Sequence, residues 1–224
     1  MFFSRIDTII DKVKTCSCEC EQSCDICFEK IEVKPLLDSL IGSKNEALCN
    51  LCYERLRCKK FYRGDLSFKT CVLYEYRGFI RNLILRYKVH HDYHLKKYLF
   101  EYHRFWIQFH YSRYEYVIAP SNTTNSSKPN HLDLLVDKLG LKHSGINLVS
   151  NAPIKQALCN SKDRRKIRDH IALEKLPQKR TTKILIIDDI VTTGNTLEAI
   201  ADQIKPFVDH IEALCLAGTL TNHK

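Results

Sequence analysis

The 224-residue chain lacks any apolar run near the ~18–20 residues that a membrane-crossing helix needs, so a protein that does not span a membrane is expected. Its start does not read as a secretory leader. Met1-Phe2-Phe3 is soon interrupted by Arg5, Asp7, Asp11 and Lys12, which leaves no apolar h-region. A cytoplasmic location, where thiols stay reduced, is therefore expected. No internal repeat is visible, which excludes solenoids and propellers. His90-His91-x-x-His94 has the look of a helical metal site, but no nearby carboxylate pattern supports catalytic zinc. These histidines read as surface.

Cysteine is abundant instead. Nine of the eleven lie before residue 72, and among them are Cys24-x-x-Cys27 and Cys49-x-x-Cys52, separated by twenty-one residues. Each CxxC pair can place two thiolates at about 3.5–4 Å, the edge of a ZnS₄ tetrahedron with Zn–S near 2.3 Å. A disulfide framework is the alternative, and a reducing compartment argues against it. Structural zinc on Cys24, Cys27, Cys49 and Cys52 is expected, because so short a segment cannot bury an adequate core without metal. Cys16, Cys18 and Cys20 form a separate cluster, which either competes for the metal or is a lead-in with reactive thiols, the second being the favoured reading. The expected division is an N-terminal helix and zinc module over 1–60, then an α/β domain over 61–224.

The net charge of +9 is uneven. Residues 54–113 carry fourteen Lys and Arg against five Asp and Glu, and residues 162–183 carry nine against three. Both stretches imply a polyanionic partner. The first also holds Phe61, Tyr62, Phe68, Tyr74, Tyr76, Tyr87, Tyr93, Tyr98, Tyr102, Trp106 and Tyr111. Basic grooves with aromatic platforms suit single-stranded nucleic acid, although for any single one of these rings the core is the favoured reading.

The most informative run is Ile184-Leu-Ile-Ile-Asp188-Asp189-Ile-Val-Thr192-Thr193-Gly194-Asn195-Thr196. Four apolar residues lead into paired carboxylates, a Thr-Thr-Gly turn and an amphipathic stretch with Leu197, Ile200 and Ile204. This is a buried strand, a tight loop and a helix start. Such a loop presents N–H groups to a phosphate. Two adjacent acids at a strand end are costly for a purely structural turn. They would suit the vicinal hydroxyls of a ribose.

Further strands are expected at 71–76, 116–119, 146–149 and 211–216. Helices are expected after Arg77-Gly78 (with Ile80, Leu83, Ile84 and Tyr87), at about 94–110 and at 132–141. A short amphipathic helix is expected at 1–14, a loop at 121–130, and a helical turn followed by a mobile excursion over 154–180. Strands alternating with helices argue for a doubly wound parallel sheet whose ligand site lies at the strands' carboxyl ends.

The thirteen-residue run resembles the 5-phosphoribosyl-1-pyrophosphate (PRPP) loop of type I phosphoribosyltransferases. The resemblance implies that Asp188 and Asp189 hold the ribose hydroxyls, and that Thr192, Thr193, Gly194, Asn195 and Thr196 wrap the 5′-phosphate. Ile190 and Val191 complete the PRPP-binding segment. The order of features narrows the resemblance. A four-Cys module comes first, then Tyr74-Glu-Tyr-Arg-Gly-Phe-Ile-Arg-Asn-Leu-Ile-Leu-Arg-Tyr-Lys88, Ala119-Pro120, Lys155-Gln156 and Arg164-Arg165. This arrangement is similar to the ComF/ComFC family of competence proteins. It implies a zinc finger joined to a phosphoribosyltransferase-like domain that handles incoming single-stranded DNA at the inner membrane. The implied associates are the competence helicase and the membrane DNA channel. It further implies Mg²⁺ bound with PRPP, Ser121 and Lys88 as contacts at the diphosphate end, and Arg77, Arg81, Arg86, Lys155, Arg164 and Arg165 facing DNA. Two departures stand out. Arg86-Tyr87-Lys88 replaces Leu-Lys-Tyr, and Lys128-Pro-Asn-His131 replaces an Arg-Gly-Phe-Asn-Gln stretch. An active transferase with an unidentified acceptor is the alternative function.

Overall fold

The computed structural model describes residues 22–31, 47–57, 60–99, 101–118, 132, 141–143, 148–150, 171–173 and 180–220. It divides into two compact units, Met1–Glu54 and Arg55–Lys224. None of the described helices is long and apolar enough to cross a membrane.

The first unit is built on two Cys-x-x-Cys turns. Around the first, Ser23 and Lys30 form an antiparallel bridge, and Phe28 N–H closes the turn onto the Cys24 carbonyl at 2.8 Å. Phe28 itself takes a left-handed φ of 63°. The second turn runs straight into helix α1, Asn50–Leu56. Cys24, Ile26, Leu48 and Cys52 are buried together in this small unit.

The second unit is a six-stranded sheet. Its strands are β1 (Phe61–Arg63), β2 (Lys69–Glu75), β3 (Glu115–Ile118), β4 (Lys142–His143), β7 (Thr181–Val191) and β8 (Val208–Gly218), in the order β1-β2-β8-β7-β3-β4. Every neighbouring pair is parallel except β1–β2, an antiparallel edge hairpin. Asp188 stands opposite Cys215 in the β7–β8 register, and Ile118 opposite Ile187 in β3–β7. The expected strand at 146–149 appears as β5 (Leu148–Ser150), but it pairs antiparallel with β6 (Ile171–Leu173) in a separate two-stranded ribbon. The edge beside β3 is taken by β4 instead. β6 falls within the stretch read as a helical turn and a mobile excursion.

The helices of this unit are α2 (Gly78–Val89), α3 (Lys96–Leu99), α4 (Arg104–Tyr111) and α5 (Asn195–Ile204). Leu197, Ile200 and Ile204 of α5 pack on Val72, Ile184, Ile186, Ala213 and Cys215. The alternate residues Cys71, Leu73, Leu185, Ile187, Leu214 and Leu216 point to the other face and are buried as well. Tyr111 of α4 lies on that side. Burial, then the neighbouring Cys71 and Glu212, push its phenol up. Burying each such Leu or Ile contributes about 1.5–3 kcal/mol.

One long helix over 94–110 is not what forms. Two 3₁₀ turns, Tyr93–Leu95 and Glu101–His103, alternate with α3 and α4. His103 ends buried against Tyr74, whose hydroxyl lies within hydrogen-bond reach of Nε2. A 3₁₀ turn advances three residues rather than 3.6, and so re-phases the side chains that follow. The expected N-terminal helix, the 121–130 loop and the Cys16-Cys18-Cys20 cluster lie outside the described residues, as does the 132–141 helix apart from Leu132 and Leu141.

Candidate phosphate-loop site and four-cysteine centre

Ile184, Leu185, Ile186 and Ile187 are all fully buried, as a parallel strand covered on both faces requires. β7 then delivers Asp188 and Asp189, which are only 8% and 7% exposed. Neither burial comes cheaply for a carboxylate. Asp188 Oδ1 accepts the Asp189 N–H at 2.8 Å. Burial, and next the charge of Asp189, hold the Asp188 carboxyl well above the usual range. The Asp189 N–H and Lys88 pull the other way. Asp189 Oδ2 receives no hydrogen bond of ordinary geometry, and it forms an ion pair with the Lys88 ammonium from the last turn of α2.

Beyond Val191 the chain turns through exposed Thr192 and Thr193 into Gly194. Gly194 is the N-cap of α5, with φ 76° and no side chain capping the helix. Its left-handed backbone favours glycine, since L-residues avoid that region, and a Cβ there would displace the tip of the Leu66 side chain. The loop faces the carboxyl ends of the strands. β3 leads outward to β4 and β7 leads outward to β8, so the strand order reverses between β3 and β7. Open α/β sheets bind ligands at such a crevice.

The loop is braced from its far side by the β1–β2 hairpin. Arg63 is 4% exposed. Its Nε donates to Asp65 Oδ1 at 2.8 Å, a second nitrogen pairs with Asp65 Oδ2, and a third donates to the Thr192 carbonyl. Ser67 donates its N–H and hydroxyl to the two Glu198 carboxylate oxygens, at 2.6 and 2.7 Å, in the first turn of α5. Thr219 N–H donates to the Val191 carbonyl at 3.2 Å. None of these hairpin residues was singled out from the sequence. Arg63-Gly-Asp-Leu-Ser67 reads as an ordinary polar turn, and only its position over the loop reveals the brace.

The four cysteines form one centre. The sulfurs of Cys24, Cys27, Cys49 and Cys52 all lie within 4.8 Å of one another, and Cys27 Sγ is 3.6 Å from Cys49 Sγ. A Zn–S bond near 2.3 Å gives a tetrahedral edge of about 3.8 Å, so the donor set fits zinc. The Cys52 N–H points at Cys49 Sγ at 3.4 Å. At Cys24, burial raises the thiol, but backbone N–H groups around the sulfur outweigh it and bring the value to about 7. Those donors favour a thiolate at Cys24, whereas burial, then the neighbouring thiols, push Cys52 up, and burial raises Cys27. Among the described residues no other group of three or more His, Cys, Asp or Glu gathers at metal-binding distance. His90, His91 and His94 are exposed, as the surface reading expects.

The basic residues fare unequally. Lys88 meets Asp189 directly. Arg77 pairs with Glu75 at 2.8 Å and Arg86 with Asp92 at 2.7 Å, so both guanidiniums are already engaged within the chain. Arg81 is exposed on α2. Ser121, Lys155, Arg164 and Arg165 lie outside the described residues. Of the aromatic rings counted in the basic segment, Tyr74, Tyr87, Tyr98 and Tyr111 are buried core and offer no platform. Phe105 and Phe109, which were not counted, are 85% and 84% exposed.

Compared with known proteins, the chain matches no family model and no curated protein.

Proposed function

We propose that the β7–α5 loop is a PRPP-type phosphoribosyl site, and that the chain is a ComF-like DNA-uptake protein handling single-stranded DNA on the cytoplasmic side of the inner membrane. The observation that carries the first part is the buried pair Asp188 and Asp189, set near the end of β7 where the strand order reverses, one short loop ahead of a helix N-terminus with no side-chain cap. The acids accept ribose hydroxyls. The Thr192–Thr196 backbone and hydroxyls take the 5′-phosphate. Lys88, already against Asp189, stands ready to exchange that carboxylate for the diphosphate. Mg²⁺ would arrive with PRPP, neutralising its diphosphate charge. The four-Cys unit holds structural zinc on this reading. The uneven positive charge of the sequence supports the nucleic-acid part.

The experiment is calorimetric titration of the zinc-loaded chain with PRPP and Mg²⁺. The double variant Asp188→Asn with Asp189→Asn should lose measurable affinity and keep its circular dichroism. Unchanged affinity would remove the loop assignment. A second reading, an active salvage-type transferase, shares this loop. Release of pyrophosphate on incubation with a nucleobase set would favour it, and the charge asymmetry does not require it.

A further inference from the structure

We infer that the outward face of α4 is a docking surface for single-stranded nucleic acid, with Phe105 and Phe109 as stacking rings. The inference rests on the DNA-handling reading above and names the surface that would serve it.

Two phenylalanines four residues apart stand side by side on a helix surface. Here both are almost fully in water, while Ile107 and Tyr111 of the same helix are buried. Burial of that opposite stripe fixes the helix rotation, so Phe105 and Phe109 form an outward ridge. Exposed paired rings of this kind mark an interaction surface. Charge decides what covers it. From Tyr102 to Tyr114 the chain contains no Asp or Glu. Arg104 and Arg113 flank the ridge, are exposed, and engage no partner among the described residues. They differ in this from Arg77 and Arg86, which pair with acids of their own chain. A further cation lies over a ring of the same helix, with Lys60 Nζ 3.7 Å from the Trp106 centroid. An apolar protein partner would need no free guanidiniums, and a second copy of this face would set like charges together. A strand with one phosphate per nucleotide and unpaired bases matches both features, because every base has a face to stack.

The test is fluorescence anisotropy of labelled oligothymidine with the full zinc-loaded chain. Phe105→Ala with Phe109→Ala should raise Kd about tenfold or more, since each stacked ring lost weakens binding severalfold at least. Arg104→Gln with Arg113→Gln should lower the slope of log K against log salt by about 0.7 for each phosphate contact removed. Both double variants should keep the PRPP affinity of the parent, because neither touches β7 or its loop. If the parent binds oligothymidine and the phenylalanine variant binds within twofold of it, the surface is wrong while the DNA-handling reading stands. If the parent binds no oligonucleotide, that reading fails together with the surface. Sedimentation velocity supplies another check. A change in the self-association of the free chain on Phe105→Ala with Phe109→Ala, with unchanged DNA affinity, assigns the ridge to a second copy and overturns the inference.

Discussion

Replacing Arg63 by Met tests the brace behind the β7–α5 loop. Methionine keeps most of the buried stem and removes every guanidinium bond. The bond to the Thr192 carbonyl comes from a charged donor, and its loss costs about 1.5–3 kcal/mol. The Asp65 pair adds less than the ~3–5 kcal/mol of a fully buried ion pair, because the Asp65 side chain is 32% exposed and water can re-solvate it. Removing a buried charge also relieves desolvation. A net destabilisation of about 2–4 kcal/mol results, or roughly 4–16 °C in Tm for a domain of this size. Scanning calorimetry of the full chain reads the stability, and a PRPP titration reads the loop. Arg63→Lys keeps the charge but loses the planar fork, so it should recover only part of the Tm. A Tm within 2 °C of the parent for Arg63→Met, with unchanged PRPP affinity, would refute the brace.

Asp188→Asn should raise Tm at pH 7 while weakening PRPP. The folded carboxyl lies above its ordinary value of 3.8, so its stabilising contribution is full below that pH and is lost as pH rises through the folded value. The gain from Asn should therefore vanish in acid, and a lower Tm at neutral pH would contradict the placement. His103 runs the opposite way. Burial first, then the Lys60 charge, depress it to about 4, so its contribution is present above ~6.5 and is lost as pH falls from there to about 4. The full swing is about 3 kcal/mol. A His103→Gln chain should show a correspondingly shallower loss of stability across that window, and parallel pH curves would remove the claim. Metal analysis should find one zinc per chain, lost in Cys24→Ser together with the structure of the first unit. Absence of stoichiometric zinc in the parent would defeat the centre.

The β7–α5 run was readable because each level of its sequence agrees. Ile184–Ile187 fix a doubly covered strand, Gly194 fixes the turn, and the Leu197, Ile200 and Ile204 spacing fixes the helix. The four-Cys cluster was readable because thiolate spacing is itself a geometric statement. The break between α3 and α4 was not, since Leu95, Leu99, Ile107 and Tyr111 recur at multiples of four with His103 between them, and only the meeting of His103 with Tyr74 betrays the re-phasing. The separate β5–β6 ribbon escaped because three-residue strands carry no period. Arg63 escaped because nothing local marks an arginine for burial, and its partners Thr192 and Asp65 are defined only by the fold. The aromatic segment misled for a related reason. Composition counts rings without direction, and the fold turned Tyr74, Tyr87, Tyr98 and Tyr111 in and the uncounted Phe105 and Phe109 out.

The two sides of the loop argue together for a ligand. On the hairpin side the fold has matched its polar groups closely. Arg63 is bonded through three nitrogens, and Glu198 takes two donors from Ser67. On the acid side it has not. Asp188 has one backbone N–H and an acid neighbour, and Asp189 Oδ2 has only an ammonium. A chain selected for stability alone would gain by replacing one acid with an amide, since buried like charges raise the free energy of the folded state. Retaining both acids where the loop is otherwise held rigid fits a site whose remaining acceptor capacity is completed from outside by hydroxyl donors. A vicinal diol beside a phosphate supplies two such donors at the spacing of adjacent carbons, an arrangement that inorganic phosphate lacks. The discriminating ligand pair is therefore ribose 5-phosphate against inorganic phosphate. The first should bind more tightly to the parent chain, and Asp188→Asn with Asp189→Asn should erase the difference. Equal affinity of the parent for both would leave the acids without a ligand role.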